Sequence, residues 1–256
     1  MPELPEIKIM IDNISKKFKN VILNNIIINS GRYIKHNVPK GYNDIIKQLP
    51  LKIVSFNTKG KFIYIILENN VSIWITLGLK GSFTMDENKM HNNILFITNK
   101  GNFYLNDPLN FGTMKISFSE NELKNKLSTI GIDLLQERNF QKFKNKLKEY
   151  SNKKIGTVLV NQKIIGGIGN YLRSEILYDS KISPYCLINN FSNKEFKKLY
   201  NSCIKILNKS YKTQLKEGLG MYRYNVYKMK ETLKGEKIKS DVLNKRKIWY
   251  VDEYKK

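Results

Sequence analysis

The spacing of apolar and polar residues changes character about halfway along the chain. Between Pro5 and Phe18, Ile7, Ile11, Ile14 and Phe18 recur at intervals of four, three and four, with Lys8, Asp12 and Lys16 on other faces. That is the stripe of an amphipathic helix. From Val21 to Phe118 the period shortens. Val21–Asn29, Phe62–Leu67, Val71–Thr76, Asn93–Thr98 and Gly112–Phe118 are rich in β-branched and aromatic residues and are separated by turn residues, which predicts short strands. Strands this closely spaced point to a sandwich or barrel.

Helical periodicity returns after Phe118. Ser119 followed by Glu122 predicts a capping box opening a helix through about Leu127. Further helices are predicted at Phe140–Tyr150, Lys154–Gln162, Tyr171–Asp179 and Ser192–Leu215, the last opened by a second box at Ser192 and Glu195. From Lys237 to Val251 the pattern alternates again, as a β-hairpin turning at Asn244-Lys245-Arg246. A boundary near Gly131 separates a strand-rich first half from a helical second half, so the fold class is α+β. No internal repeat is evident.

Charge adds a partner to this picture. The 256 residues hold 45 Lys and Arg against 22 Asp and Glu, a net +23. Such an excess costs self-repulsion, which a polyanionic partner offsets, nucleic acid first and an anionic membrane surface second. Compositional drift toward Asn, Ile and Lys is the bland alternative. Only Cys186 and Cys203 are present, which excludes a disulfide framework and a four-cysteine zinc site. Both are expected in the core of a reducing compartment, and His36 and His91 on the surface. The start is no secretory signal and no apolar run reaches about 18 residues, so a soluble intracellular protein is expected, in the nucleus, nucleoid or cytoplasm.

The chemistry concentrates at the start. Loss of the initiator methionine from Met1-Pro2-Glu3-Leu4-Pro5-Glu6 leaves a secondary amine at Pro2. An α-amine titrates near 8, so a sizeable fraction is nucleophilic at neutral pH. Glu3 stands beside it as a general acid/base, and Glu6 follows within one helical turn. By itself the hexapeptide reads better as a plain helix start. Gly166, Gly167 and Gly169 allow close approach of a phosphate, and Asn170 is a suitable N-cap for a helix beginning at Tyr171, whose positive end would face that phosphate.

The hexapeptide resembles the start of the Fpg/Nei family, the formamidopyrimidine-DNA glycosylases and endonuclease VIII-type glycosylases. Further matches follow in the family's order: Lys59-Gly60-Lys61-Phe62, Leu77-Gly78-Leu79-Lys80-Gly81-Ser82, Asp107-Pro108-Leu109-Asn110-Phe111-Gly112, and Asn161-Gln162 with Gly166 to Glu175. The resemblance implies a two-layered β-sandwich with flanking helices over 1–131, a helix–two-turns–helix domain over 132–222, and a finger hairpin over 223–256. It implies a bifunctional glycosylase and abasic-site lyase of base excision repair, with Pro2 as nucleophile, Glu3 as acid/base and Glu6 ordering the N-terminus. Lys61, Asn170 and Arg246 would contact phosphates, with Tyr171 beside them. Leu79, Leu109 and Phe111 would fill the gap left by an everted base.

Two departures from the family pattern shape the rest. Leu109 takes the place of an arginine that pairs with the orphaned base, so the opposite base is expected to matter little. Val251 and Tyr254 stand where zinc-binding cysteines would be, so a zincless finger with no metal and no cofactor is expected. Damaged DNA, duplex or single-stranded, is the expected partner, lying in a basic cleft between the domains of a monomer without membrane contact. Oxidised pyrimidines are the favoured substrates. The alternatives are formamidopyrimidine and 8-oxoguanine specificity, a non-catalytic damaged-DNA-binding protein on the same scaffold, and a basic RNA-binding or ribosomal-type protein.

Overall fold

The computed structural model describes residues 2–252 and 254, which divide into two compact units. One holds residues 6–129 with Pro2; the other holds residues 130 onward and takes Glu3–Pro5 as well. In the first unit, α1 (Leu4–Phe18) leads into β1 (Ile22–Ile28), the single turn α2 (Arg32–Lys35) and α3 (Tyr42–Gln48). Then come β2 (Leu51–Lys59), β3 (Phe62–Leu67), β4 (Ser72–Thr76), β5 (Ser82–Thr84), β6 (Asn92–Thr98), β7 (Gly101–Asn106), β8 (Thr113–Ser117) and α4 (Glu120–Ser128). The strands form one antiparallel ladder in the order β5-β7-β6-β1-β2-β3-β4-β8.

The ladder is folded into two layers. Phe56 on β2 and Phe103 on β7 stand three places apart in strand order, yet their rings meet edge-on at 5.9 Å. In a flat sheet, at about 4.8 Å per strand, they would lie about 14 Å apart. Phe18 of α1 covers Phe103 at 4.9 Å, and Ile7, Ile11 and Ile14 are buried in the same core, as their spacing predicts. β2 escapes its sequence signal because a register shift between Ile53 and Ser55 switches the buried side chains from Leu51 and Ile53 to Phe56 and Thr58. A bulge reverses the parity on which strand recognition depends. At α4 only half of the predicted capping box forms. Ser119 accepts from the Glu122 N–H at 3.3 Å, but the Glu122 carboxylate turns to Ser117 and Lys115.

The second unit contains α5 (Phe140–Lys148), α6 (Ile155–Val158), α7 (Asn170–Ser180), α8 (Asn193–Glu217) and the hairpin β9 (Ile238–Leu243) and β10 (Arg246–Val251). The helix expected over Lys154–Gln162 is a single turn, because the chain from Leu159 onward folds into turns closed by Asn161 O. The Ser192–Glu195 box is complete. α7 is buried on all sides, including Arg173, Ser174 and Glu175, and Leu243 and Ile248 of the hairpin join the same core. Among the described residues no helix is long and apolar enough to cross a membrane.

Candidate active site

The N-terminus of α7 is where sequence and structure differ most usefully. Asn170 is the first helical residue and the cap position is Gly169, which makes no side-chain cap. The cap comes from elsewhere in the chain. Glu3, 3 % exposed, accepts from Gly169 N at 2.6 Å and Leu172 N at 3.3 Å through one oxygen, and from Tyr171 N at 3.0 Å through the other. Three N–H donors at the positive end of a helix match an anion. That anion is the Glu3 carboxylate, so the first-turn amides are not open to a phosphate in the way expected. What Asn170 leaves open is its side-chain oxygen, buried without a hydrogen-bond partner.

The approach of Glu3 depends on the preceding turns. The Gln162 amide donates to the carbonyls of Val160 (3.0 Å) and Ile168 (2.8 Å) and accepts from Gly167 N (2.8 Å), fixing the loop. Leu4 N then donates to Gly167 O at 3.1 Å. Gly167 has φ +92°, and a Cβ there would come within 2.5 Å of the Leu4 Cβ, so a side chain would push residues 3–5 off their seat. Tyr171 is a core residue: its ring is buried, its hydroxyl meets Ser210 at 3.1 Å, and its contribution to the site is the backbone N–H held by Glu3. Pro2 is half-buried and joined to Glu3 by the chain; Glu6 is half-buried in the first turn of α1.

In the first unit, Lys61 is half-buried in the two-residue turn between β2 and β3, where Lys59 pairs with Phe62 and Gly60 has φ +57°. Leu79, Leu109 and Phe111 are exposed by 40, 39 and 58 % on two adjoining loops. The loops touch through Gly78, φ +59°, where a Cβ would lie 2.8 Å from the Phe111 Cβ. The second loop is braced: Asp107 accepts from Gly112 N at 2.6 Å, and Asn110 Oδ1 accepts from the Asn93 amide at 2.8 Å and from Arg32 N at 3.2 Å. Three large apolar side chains thus face solvent on a rigid base, although exposure costs each its burial free energy.

Arg246 is the first residue of β10 rather than part of the turn. Asn244 and Lys245 make that turn, both at positive φ, and Arg246 pairs with Leu243. It is exposed, next to Lys247, whose carbonyl accepts from the fully buried Arg173 at 2.9 Å. Arg173 also donates to Gly156 O at 3.0 Å, tying α7 to α6 and to β10. Burial and the neighbouring Arg246 lower its pKa to about 10, so it stays charged at neutral pH. At the base of the hairpin, Val251 is buried, and the Tyr254 hydroxyl accepts from Lys181 at 3.0 Å and donates to Glu236 at 3.4 Å. Tyr178 donates to the same Glu236 carboxylate at 2.8 Å. The Tyr254 ring also packs on Tyr178, with centroids 6.1 Å apart. No group of three His, Cys, Asp or Glu able to hold a metal occurs among the described residues.

The sequence reading gave no role to Glu175, which is fully buried. It accepts from Asn225 N and Nδ2, Val226 N and Tyr227 N, anchoring the chain beyond α8 to α7. The available signal was a run of charged and polar residues inside a helix that is otherwise apolar on every face, a pattern that requires buried partners.

Comparison with known proteins converges on one family. Residues 1–114 match the formamidopyrimidine-DNA glycosylase N-terminal domain, and residues 130–219 match the formamidopyrimidine-DNA glycosylase H2TH domain. The formamidopyrimidine-DNA glycosylase of Ureaplasma parvum is 31 % identical over 216 residues, covering 81 % of this chain and 77 % of that protein. That of Mycoplasma genitalium is 29 % identical over 222 residues, covering 82 and 75 %. The fold resembles that of the Lactococcus lactis enzyme non-covalently bound to DNA containing an AP site, at TM-score 0.83, 20 % identity and 98 % coverage of both chains. It also resembles MutM in complex with DNA containing carbocyclic 8-oxo-G, at TM-score 0.84, 22 % identity and the same coverage. With both of its domains matched in order, the chain belongs to the formamidopyrimidine-DNA glycosylase family, the DNA glycosylases of base excision repair.

Proposed function

We propose that the protein excises oxidised bases from damaged DNA and then cleaves the strand as an abasic-site lyase, with the Pro2 amine as covalent nucleophile. The carrying observation is the Glu3 carboxylate, buried and held by three backbone N–H groups one residue from that amine. Once Met1 is removed, the Pro2 nitrogen attacks C1′ of the damaged nucleotide, and the bond to the base breaks, the base leaving with the electron pair and taking a proton from water. Glu3 accepts the proton shed by the amine and delivers it to the sugar ring oxygen, which opens the ring to an iminium. The iminium acidifies the C2′ proton, and its loss expels the 3′ phosphate; a second elimination expels the 5′ phosphate. A helix-capped carboxylate suits this relay, because its position is fixed before substrate arrives. No metal or cofactor enters these steps.

Around the reacting carbon, Lys61, the side-chain NH2 of Asn170 and exposed Arg246 are the donors we assign to the DNA backbone, Tyr171 serving through its backbone. Glu6 orders the first turn of α1. Leu79, Leu109 and Phe111 supply the wedge that replaces the everted base in the stack. Residues 1–131, 132–222 and 223–256 would act as catalytic, DNA-gripping and finger segments of a monomer.

Borohydride reduction in the presence of abasic-site duplex tests the central step. The mature protein should give a covalent adduct at Pro2, and a form extended by retained Met1 or a tag should bind DNA but give none. Full trapping by the extended form would move the nucleophile to a lysine; no adduct from either form would leave a non-catalytic binder.

For the lesion, only Gly218 to Tyr224 separates the end of α8 from the segment held by Glu175, which leaves little chain to close over a flat purine. Thymine glycol, 5-hydroxyuracil and dihydrouracil should therefore be excised faster than 8-oxoguanine, with formamidopyrimidines shared. The names of the relatives favour a second reading, formamidopyrimidine and oxidised-purine specificity. Single-turnover rates on matched duplexes decide between them. If 8-oxoguanine opposite cytosine is removed fastest, the second reading holds.

A further inference from the structure

The lysines of α8 are not distributed like those of the other helices. Lys194, Lys198, Lys205, Lys209, Lys212 and Lys216 are all exposed, and at 100° per residue they fall, with Lys197, within an arc of about 120°. The remaining polar positions in that arc are Asn201, exposed, and Asn208, half-buried; Glu195 and Glu217 lie outside it. On the other helices four lysines meet acids one helical turn or a short loop away: Lys8 with Asp12, Lys124 with Glu120, Lys142 with Glu137, Lys146 with Glu149. On α8 only Lys205 has such a partner among the described residues, Asp179 at 2.5 Å. Arg138 extends the stripe sideways by donating to Asn208 at 2.9 Å. Drift toward lysine would scatter charge over helices alike. Here it is confined to one face, at the standing cost of like charges spaced by three and four residues.

We propose that the outer face of α8 is a second nucleic-acid surface, which takes the phosphate backbone of a DNA duplex without reading its sequence. The stripe runs about 33 Å from Lys194 to Lys216, close to one turn of duplex. Flexible ammonium groups suit non-specific phosphate contacts. An anionic membrane fits less well. A surface-lying helix needs an apolar flank, and the apolar face of α8 is spent on the core through Phe196, Leu199, Cys203, Ile206 and Leu207, leaving Leu215 as its one exposed large apolar residue. The surface is separate from the residues assigned above: Ser210, which meets the Tyr171 hydroxyl, lies on the side of α8 opposite the lysines. The protein could then hold one duplex for chemistry and a second by charge, which would favour transfer between DNA segments during a search.

The test uses the full chain and the variant Lys198→Gln/Lys209→Gln/Lys212→Gln/Lys216→Gln, which keeps helix propensity and touches no core residue. Binding of a labelled undamaged duplex is measured across salt, with and without a saturating unlabelled short abasic duplex. Wild type should capture the labelled duplex in both conditions. In the variant, capture by the loaded protein should fall at least tenfold, and the salt slope should flatten by about 0.9 for each phosphate that the variant no longer neutralises. Affinity for the abasic duplex should change less than about threefold. Equal capture by the variant, no capture by loaded wild type, or competition by phosphatidylserine vesicles as effective per charge as duplex would each overturn the proposal. If the short abasic duplex does not bind at all, the active-site reading fails, and undamaged-duplex binding by wild type against its loss in the variant still decides the α8 surface.

Discussion

Glu3 and Glu175 are two buried carboxylates that satisfy themselves on backbone N–H groups, and both are organised by α7. Glu175 sits mid-helix, and Asn225, Val226 and Tyr227 close around it. Glu3 enters from the chain start, caps the helix through Gly169, Tyr171 and Leu172, and is followed outward by Pro2. A buried charge without such bonds would cost several kcal/mol, and each charge-assisted bond returns about 1.5–3 kcal/mol. The same interaction is used twice with different ends in view. Around Glu175 it closes a junction within the second unit; around Glu3, on the proposed mechanism, it holds a proton carrier beside the Pro2 amine. The comparison teaches that hydrogen-bond satisfaction does not separate a structural acid from a chemical one. Neighbours do.

The largest effect expected is that of Glu3→Gln on turnover. The amide retains one acceptor for the α7 cap, so stability should fall by no more than about 1–2 kcal/mol. Base excision should fall by about 10²–10⁴-fold, the usual worth of a positioned acid/base, and cleavage of a preformed abasic site by less, since only the first step expels a base. Single-turnover assays on both substrates check it. Excision within tenfold of wild type would make Glu3 a cap of the same kind as Glu175.

Glu175→Ala should act on folding instead. It strands the N–H groups of residues 225–227 in the interior and should cost about 3–5 kcal/mol by denaturant unfolding, with Glu175→Gln nearer to 1–3 kcal/mol. Trapping yield per folded molecule should be unchanged. A variant that folds with wild-type stability but no longer traps would place Glu175 in the chemistry and erase the distinction.

A smaller effect is expected at Arg246, whose strand is fixed to α7 through the Arg173–Lys247 bond. Arg246→Ala should weaken abasic-duplex binding by about tenfold and flatten the salt slope by about 0.9, with no loss of stability. Wild-type affinity would remove Arg246 from the interface.

Periodicity located the elements whose burial follows a single period. α1, β3, β4, β6 and α8 fall within a residue or two of the apolar patterns that announced them. β2 was hidden by its bulge, and α6 was overextended because apolar residues in a tight turn carry no period of their own. For the site, residue identity and order are the whole basis on which Pro2, Glu3, Lys61, Asn170 and Arg246 are proposed. The long-range partner of Glu3 was not legible, since a contact between positions 3 and 169 leaves no local trace in one sequence. The resemblance sets Tyr171 beside the phosphate contacts; tertiary packing instead turns its ring into the core against Ser210.

The last test concerns the finger, where the comparison can be carried to a third carboxylate. Glu236 is only half-buried, and its partners are side chains: Tyr178 at 2.8 Å, Thr232 at 2.9 Å, Tyr254 at 3.4 Å and Lys181 at 3.5 Å. The Tyr178 hydrogen bond, foremost, holds its pKa below the ordinary carboxylate value. A depressed folded-state pKa contributes stability that is present above the unfolded value, near 4.3, and is lost as pH falls through the folded one. The finger should therefore be indifferent to pH across neutrality and loosen only in acid. Trp249 reports on it, because its ring meets Tyr227 at 4.7 Å; a Trp74→Phe background removes the other tryptophan. Its fluorescence should hold steady from about pH 7 to about pH 5 and change below about pH 4. Tyr178→Phe should move that transition upward, and Tyr254→Phe should cost under about 1 kcal/mol, as expected for a half-exposed network. Chelator should leave the signal untouched, since Val251 and Tyr254 offer a metal no thiolate. A transition unmoved by Tyr178→Phe, or a hairpin released by chelator, would show that something other than this cluster holds the finger.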